Sequence, residues 1–123
     1  MNEAKEVIME EILENLAQVT GILGALIVGR DGLVIAYSGD IKADPDFLGA
    51  TVSDFFTTAE NIMEEKFSLG TLGRITIEAD LGVYFLQNIN NETFLVVIAD
   101  KKTNHGLIRL EMKSASESLR EVL

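Results

Sequence analysis

The stretch Ala25-Leu26-Ile27-Val28-Gly29-Arg30-Asp31-Gly32-Leu33-Val34-Ile35-Ala36-Tyr37 decides the fold. Two short apolar runs, Ala25 to Val28 and Leu33 to Tyr37, flank Gly29-Arg30-Asp31-Gly32. Asp-Gly tolerates positive φ and is a strong two-residue hairpin signal. The pattern predicts strand, tight turn, strand.

Upstream, Ala4, Ile8, Ile12, Leu16 and Val19 recur at three- and four-residue spacing, joined by Val7 and Leu13. That periodicity predicts an amphipathic helix stopping near Gly21. Glu3, Lys5, Glu6, Glu10, Glu11 and Glu14 take its outer positions. Downstream, Asp44-Pro45 has the form of an N-cap followed by proline at the first helical position. Leu48, Val52, Phe55, Ala59 and Ile62 form the expected inner stripe of this second helix, flanked by Phe56 and Met63. It should end near Lys66. Three strands follow, at about Leu72–Ala79, Val83–Ile89 and Thr93–Ala99, with turns at Asp80-Leu81-Gly82 and Asn90-Asn91. A last helix starts around Thr103 or Asn104, with Ile108, Met112, Ala115, Leu119 and Val122 as its stripe.

Tight turns between successive strands imply an antiparallel sheet. The runs Ala25–Val28, Leu33–Tyr37, Val83–Leu86 and Phe94–Ala99 are apolar at nearly every position, so all four are expected to be buried on both faces. Helices must then cover both sides of the sheet, giving an α+β sandwich of three layers. Leu72–Ala79 alternates Ile75, Ile77 and Ala79 with Arg74, Thr76 and Glu78, which marks an edge or half-exposed strand.

The chain has 123 residues, the size of one ordinary domain, and residues 1–123 are expected to form just one. It has no cysteine, which excludes thiol catalysis and a disulfide framework and suits a reducing compartment. Its formal net charge of -10 repels phosphate backbones and anionic headgroups, so nucleic-acid binding is not expected. No apolar run approaches the roughly 18 residues of a membrane span. Residues 1–16 mix apolar with acidic side chains and resemble neither a signal nor a transit peptide. A cytoplasmic location is expected.

Catalytic chemistry finds little support. The one histidine, His105, stands beside Gly106 at the start of the last helix, where a solvated or capping role suits it. The glycines lack the Gly-Lys-Ser/Thr ending of a phosphate loop. Glu10-Glu11 and Glu64-Glu65 are adjacent on helices and diverge. Asp40, Asp44 and Asp46 lack the central glycine and terminal glutamate of a calcium loop. Arg30, Arg74, Arg109 and Arg120 are the four arginines, and surface salt bridging is the default for each. No catalytic residue, metal site or cofactor is expected.

Surfaces say more. On the second helix, Ala50, Ser53, Thr57 and Asn61 oppose the inner stripe at about 100° per residue, with Asp54 and Thr58 alongside. Between Phe47 and Asn61 only Asp54 and Glu60 are charged. So bland a face in so acidic a chain suits contact with protein, and Phe47, off the stripe, would be partly exposed in a monomer. Ser53, Thr57 and Asn61 are assigned to a dimer seam, and Phe47, Ala50, Asp54 and Thr58 to partner binding. The strand Arg74-Ile75-Thr76-Ile77-Glu78 supplies the second candidate surface. An unpaired edge invites pairing unless it is guarded. Antiparallel self-pairing around Thr76 would set Arg74 near Glu78 across an isologous seam.

With these residues in place, the chain resembles the roadblock family of dynein light chains and their prokaryotic relatives, the MglB-like regulators of small Ras-type GTPases. The resemblance rests on the first helix, Gly21-Ile22-Leu23-Gly24-Ala25-Leu26-Ile27-Val28, the turn Arg30-Asp31-Gly32-Leu33-Val34-Ile35-Ala36 and the ending Thr93-Phe94-Leu95-Val96-Val97-Ile98-Ala99. It implies a five-stranded antiparallel sheet with one helix on one face and two on the other, in the order α-β-β-α-β-β-β-α. It also implies dimers, with itself or with a related roadblock protein, through the third strand and second helix. A non-enzymatic module that binds and regulates a Ras-like small GTPase is the leading expectation. The alternatives are a structural adaptor of a motor or other multiprotein complex and, behind it, a small-ligand sensor, for which no convergent polar groups are visible.

Overall fold

The turn at Gly29–Gly32 forms, one residue longer than the Asp-Gly signal implies. Gly29 N–H donates to Leu33 O at 2.9 Å, enclosing Arg30, Asp31 and Gly32. Gly32 takes φ +90°, which a side chain would oppose, and the Asp31 carboxylate accepts from Leu33 N. A three-residue loop closing on a left-handed glycine is the next commonest hairpin after the two-residue one.

The computed structural model describes residues 3–123. The elements are α1 (Glu3–Ala17), β1 (Ile22–Gly29), β2 (Val34–Gly39), α2 (Pro45–Asn61), a π-helical turn (Ile62–Lys66), β3 (Arg74–Ala79), β4 (Gly82–Asn88), β5 (Thr93–Ala99) and α3 (His105–Arg120). The order matches the sequence expectation. That expectation for residues 1–16 rests partly on Met1 and Asn2, which lie outside the described residues. Asp44 caps α2 by accepting from Asp46 N, with Pro45 in the first turn, and Asn104 caps α3 by accepting from Leu107 N. The second helix stops at Lys66 because its last turn widens, with Phe67 N–H donating to Ile62 O, before Ser68 and Gly70 take positive φ.

The sheet is antiparallel throughout, in the order β2-β1-β5-β4-β3. Its central strands carry two cores. Ala25, Ile27, Phe85, Leu95 and Val97 meet Met9, Leu13 and Leu16 of α1 and Ile108, Met112 and Leu119 of α3. Leu26, Val28, Leu86, Phe94 and Val96 meet Leu48, Val52 and Phe56 of α2. One helix thus covers one face and two cover the other, the three layers expected.

Three expectations need correction. Leu33–Tyr37 is not buried on both faces. From Val34 on it belongs to β2, an edge strand, and Leu33, Ile35 and Tyr37 are exposed. Apolar content shows how sticky a strand is, not where it sits in the sheet. In α1 the buried line is Met9–Leu13–Leu16, and Ala4, Val7 and Ile8 are exposed. The stripe runs one position beside Ile8–Ile12, because Met9 fills the space an isoleucine was expected to take. In α2 the buried side chains are Leu48, Val52, Ser53 and Phe56, with Gly49 between them, while Phe55 is half-exposed. The helix is turned by less than one residue step of about 100°.

The cause of that turn is the hairpin. A Cβ at Gly49 would lie 2.8 Å from Gly32 O and 2.7 Å from Val34 Cγ2. A Cβ at Gly32 would lie 3.2 Å from Ser53 Oγ. Gly49 and Ser53 are small so that α2 can lie against the hairpin of its own chain. The helical period assigns Ser53 to a dimer seam. At 5% exposure it is instead part of this internal contact, and its hydroxyl donates to Ala50 O.

Candidate protein interface

The two surfaces singled out by sequence lie on α2 and β3. On α2, Phe47, Ala50, Asp54, Thr58 and Asn61 are exposed and Thr57 is half-buried, its hydroxyl donating to the carbonyls of Ser53 and Asp54. Phe55 and Thr51 join this outer face. From Phe47 to Asn61, Asp54 is the only charge on it, because Glu60 turns inward; Asp46, just before this window, is also exposed.

Glu60 is held by Arg30. The guanidinium Nε and Nη2 donate to Glu60 Oε1 and Oε2, each at 2.9 Å. Nη2 also donates to Asn88 Oδ1 at 2.9 Å, and Nη1 to the carbonyls of Asn90 at 2.6 Å and Thr93 at 3.1 Å. Its carbon lies 5.4 Å from the centre of the Phe56 ring, which stacks on Phe94 at 4.6 Å. One arginine therefore ties the β1–β2 turn, the end of α2 and the β4–β5 turn together. A planar fork matched to a carboxylate does this where lysine would not. Sequence reasoning missed it. The available signal was Glu60 itself, one of two charges on an otherwise neutral helix, and Arg30 in a turn. Arg120 is likewise engaged, with Nε donating to Ile89 O at 2.7 Å.

On β3, cross-strand partners fix the facing. Ile75 lies opposite Leu86 and Ile77 opposite Tyr84, on the face that α2 covers. Arg74, Thr76 and Glu78 lie opposite Gln87, Phe85 and Val83, on the α1/α3 face. The outer edge of β3 pairs with no strand among the described residues. α2 packs over β1 and β2 and leaves the β3–β4 side thinly covered. Ile75 and Tyr84 are half-buried there and Ile77 is exposed, as are Phe67 and Leu69 in the segment before β3. Burial pushes the Tyr84 phenol above its ordinary value. Phe55, placed in the core by its period, and Tyr84, unremarked in sequence, thus join the candidate surface. Arg74 and Glu78 are exposed at the edge, where Glu78 Oε1 lies 3.6 Å from His105 Nδ1.

His105 sits edge-on to Phe85 at 5.2 Å, at the start of α3. Asp44 caps α2, Asp40 accepts from Lys42 N, and no three acidic or histidine side chains among the described residues converge as a metal site. No helix among the described residues is long and apolar enough to cross a membrane. What this geometry presents is a sparsely charged, partly apolar helix face beside an unpaired strand.

A sequence model of the Roadblock/LC7 domain matches residues 8–99. The chain is 38% identical over 112 residues to the uncharacterized protein MJ1340 of Methanocaldococcus jannaschii, covering 91% of this chain and 96% of that one. Its fold is similar to that of Myxococcus xanthus MglB, with a TM-score of 0.92 at 20% identity, covering 99% of this chain and 92% of that one. It is also similar to the gliding protein MglB of Thermus thermophilus, with a TM-score of 0.87 at 21% identity, covering 99% and 93%. Helix order, sheet order and these matches agree: the chain belongs to the Roadblock/LC7 domain family.

Proposed function

We propose that this chain is a non-enzymatic, dimeric regulatory module that binds a Ras-like small GTPase. One observation carries the dimer. From Phe47 to Asn61 the outer face of α2 bears a single charge, Asp54, in a chain of net charge -10, and it stands beside the unpaired edge of β3. A free surface in such a chain would carry more charge. Antiparallel pairing of two β3 strands about Thr76 sets Arg74 opposite the second copy's Glu78 and Ile75 opposite its Ile77. The sheet then continues through both chains, and the half-covered Ile77 and Tyr84 are sealed by the second α2.

The GTPase reading is supported by family membership and by the likeness of fold to MglB. The paired α2 helices form the platform, with Phe47, Ala50, Asp54 and Thr58 at its surface. Regulation is by differential affinity: a platform that binds one nucleotide state of its partner better shifts the partner toward that state. Arg30 is committed to Glu60 and three other acceptors, so it is no free arginine finger. An effect on hydrolysis would need only positioning of the partner's own groups, with Arg74 and Arg109 as the arginines not engaged in this way.

The test pairs sedimentation equilibrium with pull-down of Ras-like GTPases from the source cell, loaded with GDP or with a non-hydrolysable GTP analogue. A dimer that retains a GTPase in one nucleotide state is the expected result. A monomer at micromolar concentration, or a dimer that retains only motor or scaffold subunits, would defeat the regulator assignment.

A further inference from the structure

The other edge of the sheet has a different character. Among the described residues β2 pairs only with β1, and it carries neither of the charges that guard β3. Its sequence, Val34-Ile35-Ala36-Tyr37-Ser38-Gly39, is rich in strand-forming side chains and has no lysine or proline to discourage pairing. A bulge lies at the hairpin end, but from Ala36 to Gly39 the register against β1 is unbroken.

This edge is also walled. α1 overhangs it on one side with Glu10 and Glu14, and the start of α2 on the other with Pro45 and Asp46. Between them runs an open trough of about 520 Å³, floored by β2 with Ile35 and Tyr37 exposed in it. It has the form of a slot for one more strand, in which four residues span roughly 13 Å. The carboxylates of Glu10, Glu14 and Asp46 have no cationic partner among the described residues, and no cation lines the trough.

We infer that the β2 edge is a second docking site, which takes an extended, lysine- or arginine-bearing segment of another protein as a sixth strand. The backbone ladder supplies the pairing, Ile35 and Tyr37 supply apolar contact, and the three carboxylates select basic side chains. A second copy of this chain is a poor occupant, because pairing two β2 edges sets both trios of carboxylates against each other. The site lies at the opposite edge of the sheet from β3, so a dimer joined at β3 leaves it open at each end. The inference does not depend on the GTPase assignment.

The experiment uses the full chain and a capped peptide of alternating lysine and valine, followed by backbone NMR and amide hydrogen exchange. Saturable shifts centred on residues 34–39, with slowed exchange along β2, are expected. An alternating glutamate–valine peptide should not bind. An alternating lysine–proline peptide keeps the charge, but the fixed φ and missing N–H of each proline hold it out of a regular β ladder, and it should bind far more weakly. The combined Glu10→Gln, Glu14→Gln, Asp46→Asn variant should lose about tenfold in affinity, from the loss of partly screened attraction to the lysines. Its circular dichroism and melting checked against the parent separate lost binding from lost folding. Equal binding of the lysine–proline peptide, shifts at β3 instead of β2, or no binding at millimolar peptide would each overturn the inference.

Discussion

Arg30 and Glu60 lie thirty positions apart in sequence and meet through two parallel hydrogen bonds of 2.9 Å, with both side chains largely buried. The pair fixes the end of α2 over the β1–β2 turn, and so fixes the platform face that α2 presents. Removing one partner of a buried pair costs about 3–5 kcal/mol, because the other charge is left desolvated. Arg30→Met should fall near the lower end, about 3 kcal/mol, since Glu60 keeps some contact with water. It also releases Asn88 and two carbonyls from their donor. Glu60→Gln keeps one acceptor and should cost about 1–2 kcal/mol. Urea denaturation of both variants checks the order. Equal midpoints would mean that the guanidinium's other contacts add nothing beyond the Glu60 pair, and a parental midpoint for Glu60→Gln would mean that they carry the whole effect.

Ser53 and Thr58 separate the inner and outer faces of α2. Ser53 is 5% exposed and packs toward Gly32, whereas Thr58 is exposed. Ser53→Arg should destabilise folding by about 2–4 kcal/mol through overpacking and burial of a charge. Thr58→Arg should leave the melting curve of the monomer unchanged while weakening dimerisation or partner docking. Gly49→Ala belongs with Ser53. Alanine favours helix by about 1 kcal/mol, yet its Cβ would press on Gly32 O at 2.8 Å, so a net loss is expected. Thermal melts with sedimentation velocity on all three variants provide the check.

These helices also show where sequence is legible. Asp44-Pro45 and Asn104 cap the helices expected of them, because caps are local chemistry. Turn positions and the stripe Ile108–Met112–Ala115–Leu119 are read correctly for the same reason. The edge position of β2 is not legible, because Leu33–Tyr37 is as apolar as the central strands and only the long-range order of the sheet places it outside. The expected phase of α2 is off by part of a turn. Phe55 and Phe56 are equally apolar, and the choice between them is made by Gly49 and Ser53 meeting Gly32 across the fold. At the candidate interface, the alternation of β3 marks it as an edge. Nothing in sequence marks Tyr84, since its half-cover depends on where α2 stops.

Ile75 and Ile77 share a face of β3 but not a role. Ile75 packs against the α2-side core, and Ile77 is 37% exposed opposite Tyr84. Ile77→Asp should therefore weaken the dimer with little loss in the monomer's own stability. Ile75→Asp should do both, costing the monomer about 2–3 kcal/mol of lost burial and unpaired charge. Sedimentation equilibrium combined with urea melts at low concentration distinguishes the two. An unchanged dimer constant for Ile77→Asp would remove β3 from the seam.

Tyr84 gives the pH signature of the same face. Burial already raises its phenol above the ordinary value of about 10. The folded chain thus holds the proton more tightly than the unfolded one. The stability this contributes is complete below about pH 10 and is lost as pH rises through the folded value, because only the unfolded chain ionises easily at first. Sealing the β3–β4 face with a second α2 would desolvate the phenol further and raise the value again. Ultraviolet titration of tyrosinate at dimer-forming and at dilute concentration should therefore show one group moving to higher pH in the dimer. In Ile77→Asp that concentration dependence should vanish, and the added carboxylate would oppose ionisation in both samples. A Tyr84 titration indifferent to concentration in the parent protein would place the seam away from this face.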